Sequence, residues 1–159
     1  MSDLYQTSAD LRASVADLAR QERPGAALTL TRSASLAITT AGTLITWQTE
    51  TRNQGFTWST TDITIPTAGY YAVQCFLQTS GNVTLLTQRL INGTNVGFFG
   101  NSPLSINYHV AAMVRYFTTG DTLQIRVVPN ANTGISVAAE GAVAESPFLH
   151  IAQLTGVIS

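Results

Sequence analysis

Between Tyr70 and Gln78 the chain alternates with a period of two. Tyr71, Val73, Cys75 and Leu77 fall on one side, and Ala72, Gln74, Phe76 and Gln78 fall on the other. A helix cannot gather such a pattern onto one face, whereas a pleated strand does so directly. Leu123, Ile125 and Val127 repeat the rhythm against Gln124 and Arg126. Both segments predict strands with one face in a core and one outside. Turn signals punctuate the chain at Thr67-Ala68-Gly69, Ser80-Gly81-Asn82, Asn92-Gly93, Thr119-Gly120-Asp121, Asn130–Gly134 and Glu140-Gly141. Mostly about ten to a dozen residues apart, they predict an all-β sandwich or barrel from about residue 27 onward. Abundant Thr agrees, because β-branched side chains suit a pleated surface.

Two stretches break the alternation. Val83-Thr84-Leu85-Leu86 and the run from Val110 to Phe117 are apolar on both faces. In a lone chain the second face would be wet, so the expectation is that it meets another subunit.

Residues 1–23 read differently. Leu4, Leu11 and Leu18 recur every seventh position, with Ser8 and Val15 between them, while Arg12, Asp17, Arg20 and Glu22 lie off the stripe. This predicts a short amphipathic helix, stopped by Pro24-Gly25, that needs partner helices or a docking surface. The expected organisation is therefore a helix over 1–23, a linker over 24–29 and a β domain over 30–159. The first role assigned to the helix is self-association or anchoring, with Leu4, Leu11, Val15 and Leu18 as its contact residues.

Charge is scarce. Only 11% of the 159 residues are charged, against a usual share of about 25%. All eight basic residues are Arg, and the formal net charge is −1. No basic field exists to hold nucleic acid or an anionic membrane. The absence of Lys removes Schiff-base chemistry and a phosphate-loop lysine. A single cysteine, Cys75, allows neither an intrachain disulfide nor a cysteine metal cluster. It sits in a strand row expected to be buried, which makes it a structural thiol. His109 and His150 lie in strand patterns and are expected to be structural. No Gly-x-Ser-x-Gly elbow supports a hydrolytic triad, and no loop clusters carboxylates for calcium, although Asp121 stands in a turn. Accordingly no catalytic residue, metal site or cofactor is expected. Asn82-Val83-Thr84 and Asn92-Gly93-Thr94 match the glycosylation pattern only by coincidence in a chain rich in Asn and Thr. Met1–Gln6 lacks the layout of a signal peptide, so synthesis in a cytoplasm is expected.

The stretch Asn92–Asn101 is Gly-rich and predicts a hairpin loop. Phe98 and Phe99, flanked by Asn95 and Asn101, are the candidates for a recognition loop, since exposed aromatics beside amides suit carbohydrate or protein contact. Trp47 and Trp58 raise the same question, with core packing the preferred reading.

Four segments, in order, resemble C1q/TNF-like jelly-roll domains. Ile63-Thr64-Ile65-Pro66-Thr67-Ala68-Gly69-Tyr70-Tyr71 is similar to the family's entry into its first long inner strand. Arg89-Leu90-Ile91-Asn92-Gly93 resembles a strand ending in an Asn-Gly turn. Thr119-Gly120-Asp121-Thr122-Leu123-Gln124-Ile125 resembles its Gly-Asp turn, and Ser146-Pro147-Phe148-Leu149-His150-Ile151 its closing strand. The resemblance spans roughly residues 44–158. It implies a ten-stranded jelly roll assembled as a homotrimer around an apolar axis, with Tyr71, Phe76, Val114, Tyr116 and Phe148 at the interface. It is most like the small C1q-like domains of bacteriophage structural proteins and some bacterial proteins. The chain departs from the animal proteins in lacking a Gly-X-Y collagen stalk. Its closing strand also reads Phe148-Leu149-His150 where the family often has Phe-x-Gly-Phe.

The function expected on this basis is a non-enzymatic virion surface knob, either a capsid decoration or head fibre or a tail-tip component. The N-terminal helix would join capsid or tail proteins. The low charge and abundant Thr, Asn and Gln are compatible with hydrogen bonding to host-surface carbohydrate. A soluble bacterial C1q-like ligand-binding protein is the alternative.

Overall fold

A computed structural model describes residues 25–131, 134–139 and 147–154, with only the backbone described over 101–105. The expected helix over 1–23 lies outside these residues. Everything regular within them is β-structure: β1 (Ala27–Thr31), β2 (Leu36–Ala37), β3 (Thr43–Leu44), β4 (Thr49–Gln54), β5 (Thr57–Trp58), β6 (Ile63–Thr64), β7 (Gly69–Ile91), β8 (Thr94–Phe117), β9 (Thr122–Pro129), β10 (Ser136–Val137) and β11 (Phe148–Gln153). β1 begins at Ala27, inside the stretch read as a linker.

The long hairpin β7–β8 organises the rest. It turns at Asn92-Gly93, where both residues hold a positive φ, 51° and 75°. Such a two-residue turn matches the right-handed twist of the flanking strands, and Asn and Gly tolerate that backbone best. From this turn the two strands stay paired from Ile91↔Thr94 back to Gly69↔Phe117. Neither strand stops where a turn was predicted at Ser80-Gly81-Asn82. Instead the register shifts between Gln78 and Val83, and β7 exchanges β11 for β9 as its other neighbour. The turn residues are absorbed as an irregularity in a strand that serves two sheets.

The front sheet runs β4–β1–β11–first half of β7–second half of β8, and every pairing in it is antiparallel. The back sheet joins the first half of β8, the second half of β7 and β9, with β3 and β6 on the far side of β9 and β5 beyond β6. Because β7 and β8 each run through both sheets, hydrogen bonding defines eleven segments, where ten strands were expected.

Between the sheets lies one apolar core. β1 gives Leu28 and Leu30, β7 gives Tyr71, Val73, Cys75 and Leu77, and β11 gives Leu149 and Ile151 from the front. Leu123, Ile125 and Val127 of β9 oppose them from the back. The alternation read from the sequence is thus the inward row of each strand. Trp47 is fully buried and its backbone is tied to Thr60 by a 2.7 Å hydrogen bond. Trp58 is half-buried and donates its indole N–H to Glu50 Oε2 at 2.5 Å. Arg32 is 1% exposed. Its guanidinium donates to the Thr46 carbonyl, to Thr46 Oγ1 at 2.9 Å and to the Ala34 carbonyl at 2.7 Å. Burial lowers its pKa to about 10, so the charge persists at neutral pH and is solvated by backbone oxygens.

At the base of the sandwich two turns are locked together. Asp121 Oδ2 accepts from the Thr118 backbone at 2.8 Å and Oδ1 accepts from the Asn92 side chain at 2.9 Å. Asn92 Oδ1 in turn accepts from the Thr122 backbone at 2.8 Å. These bonds hold the Asp121 carboxyl below its ordinary pKa. Its work is structural, closing both turns at once.

At Gly100 the first half of β8 stands close against Ala111 of its second half. A Cβ added there would stand 2.5 Å from Ala111 Cβ and 3.1 Å from Ala111 Cα. Since Ala111 has no flexible side chain to withdraw, Gly100→Ala is expected to lower stability by about 1–3 kcal/mol. The effect should appear as a reduced urea midpoint with an unchanged denaturant slope.

Candidate functional site

Parity along the central strands produces the most distinctive surface. With Tyr71, Val73, Cys75 and Leu77 inward, Tyr70, Ala72, Gln74 and Phe76 must face out from the front sheet. The register sets Tyr116, Val114, Ala112 and Val110 of β8 beside them, and Phe148, His150 and Ala152 of β11 on the other flank. Val110 is 68% exposed, Val114 63%, Tyr116 51% and Tyr70 45%. Tyr108 and Leu154 extend the same surface and are exposed as well. Aromatic pairs mark its ends. Tyr70 and Tyr116 meet edge to face with centroids 5.3 Å apart. Phe76 stacks on Phe148 at 5.7 Å and leans on Tyr108 at 6.2 Å. Between the ends lie small side chains and one polar row across three strands, Thr29, His150 and Gln74. Apolar side chains concentrated on one sheet face in this way mark an interaction surface rather than scattered exposure.

The interface candidates Phe76, Val114, Tyr116 and Phe148 all fall on this face. Tyr71 does not. It is fully buried, packed edge to face against Phe56 and Phe117, and its hydroxyl donates to the Thr67 carbonyl at 2.8 Å. Tyr70 takes the outward place. The strand's parity identifies Tyr70, as it does Val110, and both were missed by weighing residue type ahead of phase. His150 and Leu154 were missed as well. Leu4, Leu11, Val15 and Leu18 lie outside the described residues.

The recognition candidates sit in the strand β8 rather than in a loop. Phe98 is 56% exposed, whereas Phe99 packs against the core together with Val96. Arg89 fastens this segment, donating to the Phe98 carbonyl at 2.8 Å and to that of Val96 at 3.3 Å. Asn95 is exposed but its Oδ1 accepts from the Gly97 backbone at 3.0 Å. Asn101 pairs with Leu86 through the backbone, and its side chain lies outside the described residues. Of the pair Phe98-Phe99, one ring is therefore offered to solvent and the other is structural.

Cys75 is fully enclosed and burial drives its thiol pKa upward, as expected of a structural thiol. His109 is 2% exposed, on the core side of β8, with Nε2 3.3 Å from Thr79 Oγ1. Desolvation lowers its pKa to about 4, against a hydrogen bond involving the Ile106 backbone that raises it. The unfolded chain protonates near the ordinary 6.5, so acid favours unfolding across this interval. Stability is expected to be full above that value and to decline as pH falls from 6.5 toward 4. Urea midpoints measured at pH 8, 6 and 4.5 check this, with His109→Gln flattening the decline.

No protein-family model matches the chain, and no curated protein matches it. Solved structures do. Murine APRIL at pH 5.0 superposes with a TM-score of 0.57 at 17% identity, covering 82% of this chain and 99% of that one. The murine APRIL structure at pH 8.5 gives a TM-score of 0.55 at 17% identity, covering 81% of this chain and 98% of the other. Eiger TNF from S. frugiperda gives 0.56 at 15% identity, over 86% of this chain and 97% of that one. Identities this low speak to architecture alone. Two antiparallel layers bridged by β7 and β8, together with these likenesses, establish the fold as a TNF/C1q-like jelly-roll sandwich.

Proposed function

We propose that this chain is a non-enzymatic structural protein of a bacteriophage particle, displayed as a homotrimeric surface knob on the capsid or at the tail tip. The observation that carries the reading is the open apolar face of the front sheet. Burying one side chain of the size of Val114 or Tyr116 contributes about 1.5–3 kcal/mol. Several per chain are enough to offset the several kcal/mol of freedom lost on association. A second and third copy of the chain are the occupants assigned to the face, each laying a different part of its own surface on it, as a closed ring of three requires.

The particle setting draws support from the sequence. A sequence stripe of three heptads precedes the β domain, and the ordered motifs resemble those of C1q-like domains in phage structural proteins. On this reading residues 1–23 tie the trimer to capsid or tail proteins, and the back sheet points outward. Phe98 is then the aromatic available for stacking on host-surface carbohydrate.

Two measurements test the proposal. Light scattering on the eluting protein is expected to give three chain masses for the wild type and one for Val114→Arg, since Val114 is 63% exposed and its replacement leaves the core intact. A single-chain mass for the wild type overturns the assembly. Counting copies by quantitative mass spectrometry on purified particles then locates it. Hundreds indicate the capsid and a few multiples of three the tail tip. Absence from particles overturns the virion setting in favour of a soluble bacterial ligand-binding protein.

A further inference from the structure

His150 is the one histidine on the apolar front face. It sits on β11 midway between the two aromatic ends. Its register partners are Thr29 on β1 and Gln74 on β7. Nδ1 lies 2.9 Å from Thr29 Oγ1. A hydroxyl both donates and accepts, so this contact survives either protonation state but offers no charge to balance an imidazolium.

The surroundings are arranged against a positive charge. Along its own strand His150 is flanked by Phe148 and Ala152, and Ala72 and Phe76 flank Gln74 on β7. Ala112 follows on β8 and Ala27 and Thr31 on β1. From β4 the residue in register with Thr29 is Arg52, a cation whose guanidinium donates to Gln54 Oε1 at 2.9 Å. The carboxylates among the described residues are all engaged elsewhere. Glu50 accepts from Trp58 and Asn53, Asp62 from Gln124 and Thr61, and Asp121 closes the two turns. The only charged or titratable side chain facing His150 within this set is therefore of like sign.

We propose that His150 makes the assembly acid-sensitive, its protonation loosening the homotrimer by placing an unbalanced cation on the face that the copies bury. The proposal rests on the homotrimeric reading of that face. In the single chain, burial and then the Arg52 charge already hold the imidazole below its ordinary pKa of 6.5. Covering the face with another chain desolvates it further, so the separated chains bind protons more readily than the assembly does. By linkage, association is full at high pH and weakens as pH falls through the His150 titration, by up to tenfold per chain for each pH unit.

Sedimentation velocity on the full chain at pH 8 and pH 5, at matched protein concentration, tests this, with near-ultraviolet circular dichroism reporting the packing around Trp47. The wild type is expected to sediment as a trimer at pH 8 and as folded single chains at pH 5. His150→Gln retains a hydrogen-bonding side chain without the titration and is expected to stay trimeric at both. Arg52→Gln removes the neighbouring cation and is expected to move the dissociation midpoint to higher pH. A wild type that remains trimeric at pH 5 overturns the proposal, as does a His150→Gln protein that dissociates in parallel with the wild type. Loss of the circular dichroism signal together with the trimer also overturns it, because His109 in the core then explains the acid response. A wild type that is already a single chain at pH 8 overturns the homotrimeric reading and the switch together.

Discussion

The phase of the β7–β8 hairpin decides nearly everything else. A turn of two residues with positive φ at Asn92-Gly93 sets which residues stand opposite each other where the two strands leave it. Beyond the register shifts that follow, a second uninterrupted run of pairs from Gln78↔Tyr108 to Gly69↔Phe117 sends Tyr71, Val73, Cys75 and Leu77 inward and Tyr70, Gln74 and Phe76 outward. A slip of one position would send the core row into water and an amide into the core. The clamp from Asn92 to Asp121 and Thr122 holds the same turn against the neighbouring one. The apolar front face is consequently the other side of the pattern that builds the core. Altering it without altering the fold is possible only at the outward positions.

Scarcity of charge shapes what such a sandwich can do. With few ions to spread over its exterior, the protein meets its polar needs through Thr, Asn and Gln and through backbone carbonyls. Arg32 illustrates this: a buried guanidinium solvated by carbonyl oxygens of the loops that surround it. The outcome is a sandwich whose exterior among the described residues is built mainly from uncharged polar and apolar side chains. The likeness to APRIL and Eiger in architecture, at 15–17% identity, says that this layered frame accepts very different sequences.

Much of the frame could be read in advance, because period-two alternation is dictated by the pleat alone. The inward rows of β7 and β9, the Asn-Gly turn, the Gly120-Asp121 turn and the two-faced apolar run 110–117 all appear where local chemistry places them. Errors came where tertiary context outweighs it. Ser80-Gly81-Asn82 has turn composition, yet the strand runs through it, its ladder to β8 breaking after Gln78 and resuming at Val83 in a shifted register. Phe98 and Phe99 looked like loop aromatics, but strand pairing separates them, one outward and one onto the core. The resemblance offers Tyr71 as an interface residue, although the alternation that assigns it to the core is the stronger signal. The importance of His150 depends on partners more than 70 residues away in sequence, Gln74 and Thr29, and no local pattern reports that.

One further property follows from where β8 ends up. Its second half borders the front sheet with only β7 hydrogen-bonded to it, and β4 forms the opposite rim. Proteins commonly guard such rims with lysines, yet this chain contains none. Among the described residues each rim keeps a row of backbone groups with no neighbouring strand, and the one at β8 lies directly beside the most apolar surface. On the homotrimeric reading proposed above, docking would cover that surface while stacking through the exposed strand competes with it, so the two outcomes would draw on neighbouring residues. Yield in any expression host should therefore depend on how quickly synthesis raises the local concentration of properly folded partners, as much as on the stability of the single fold.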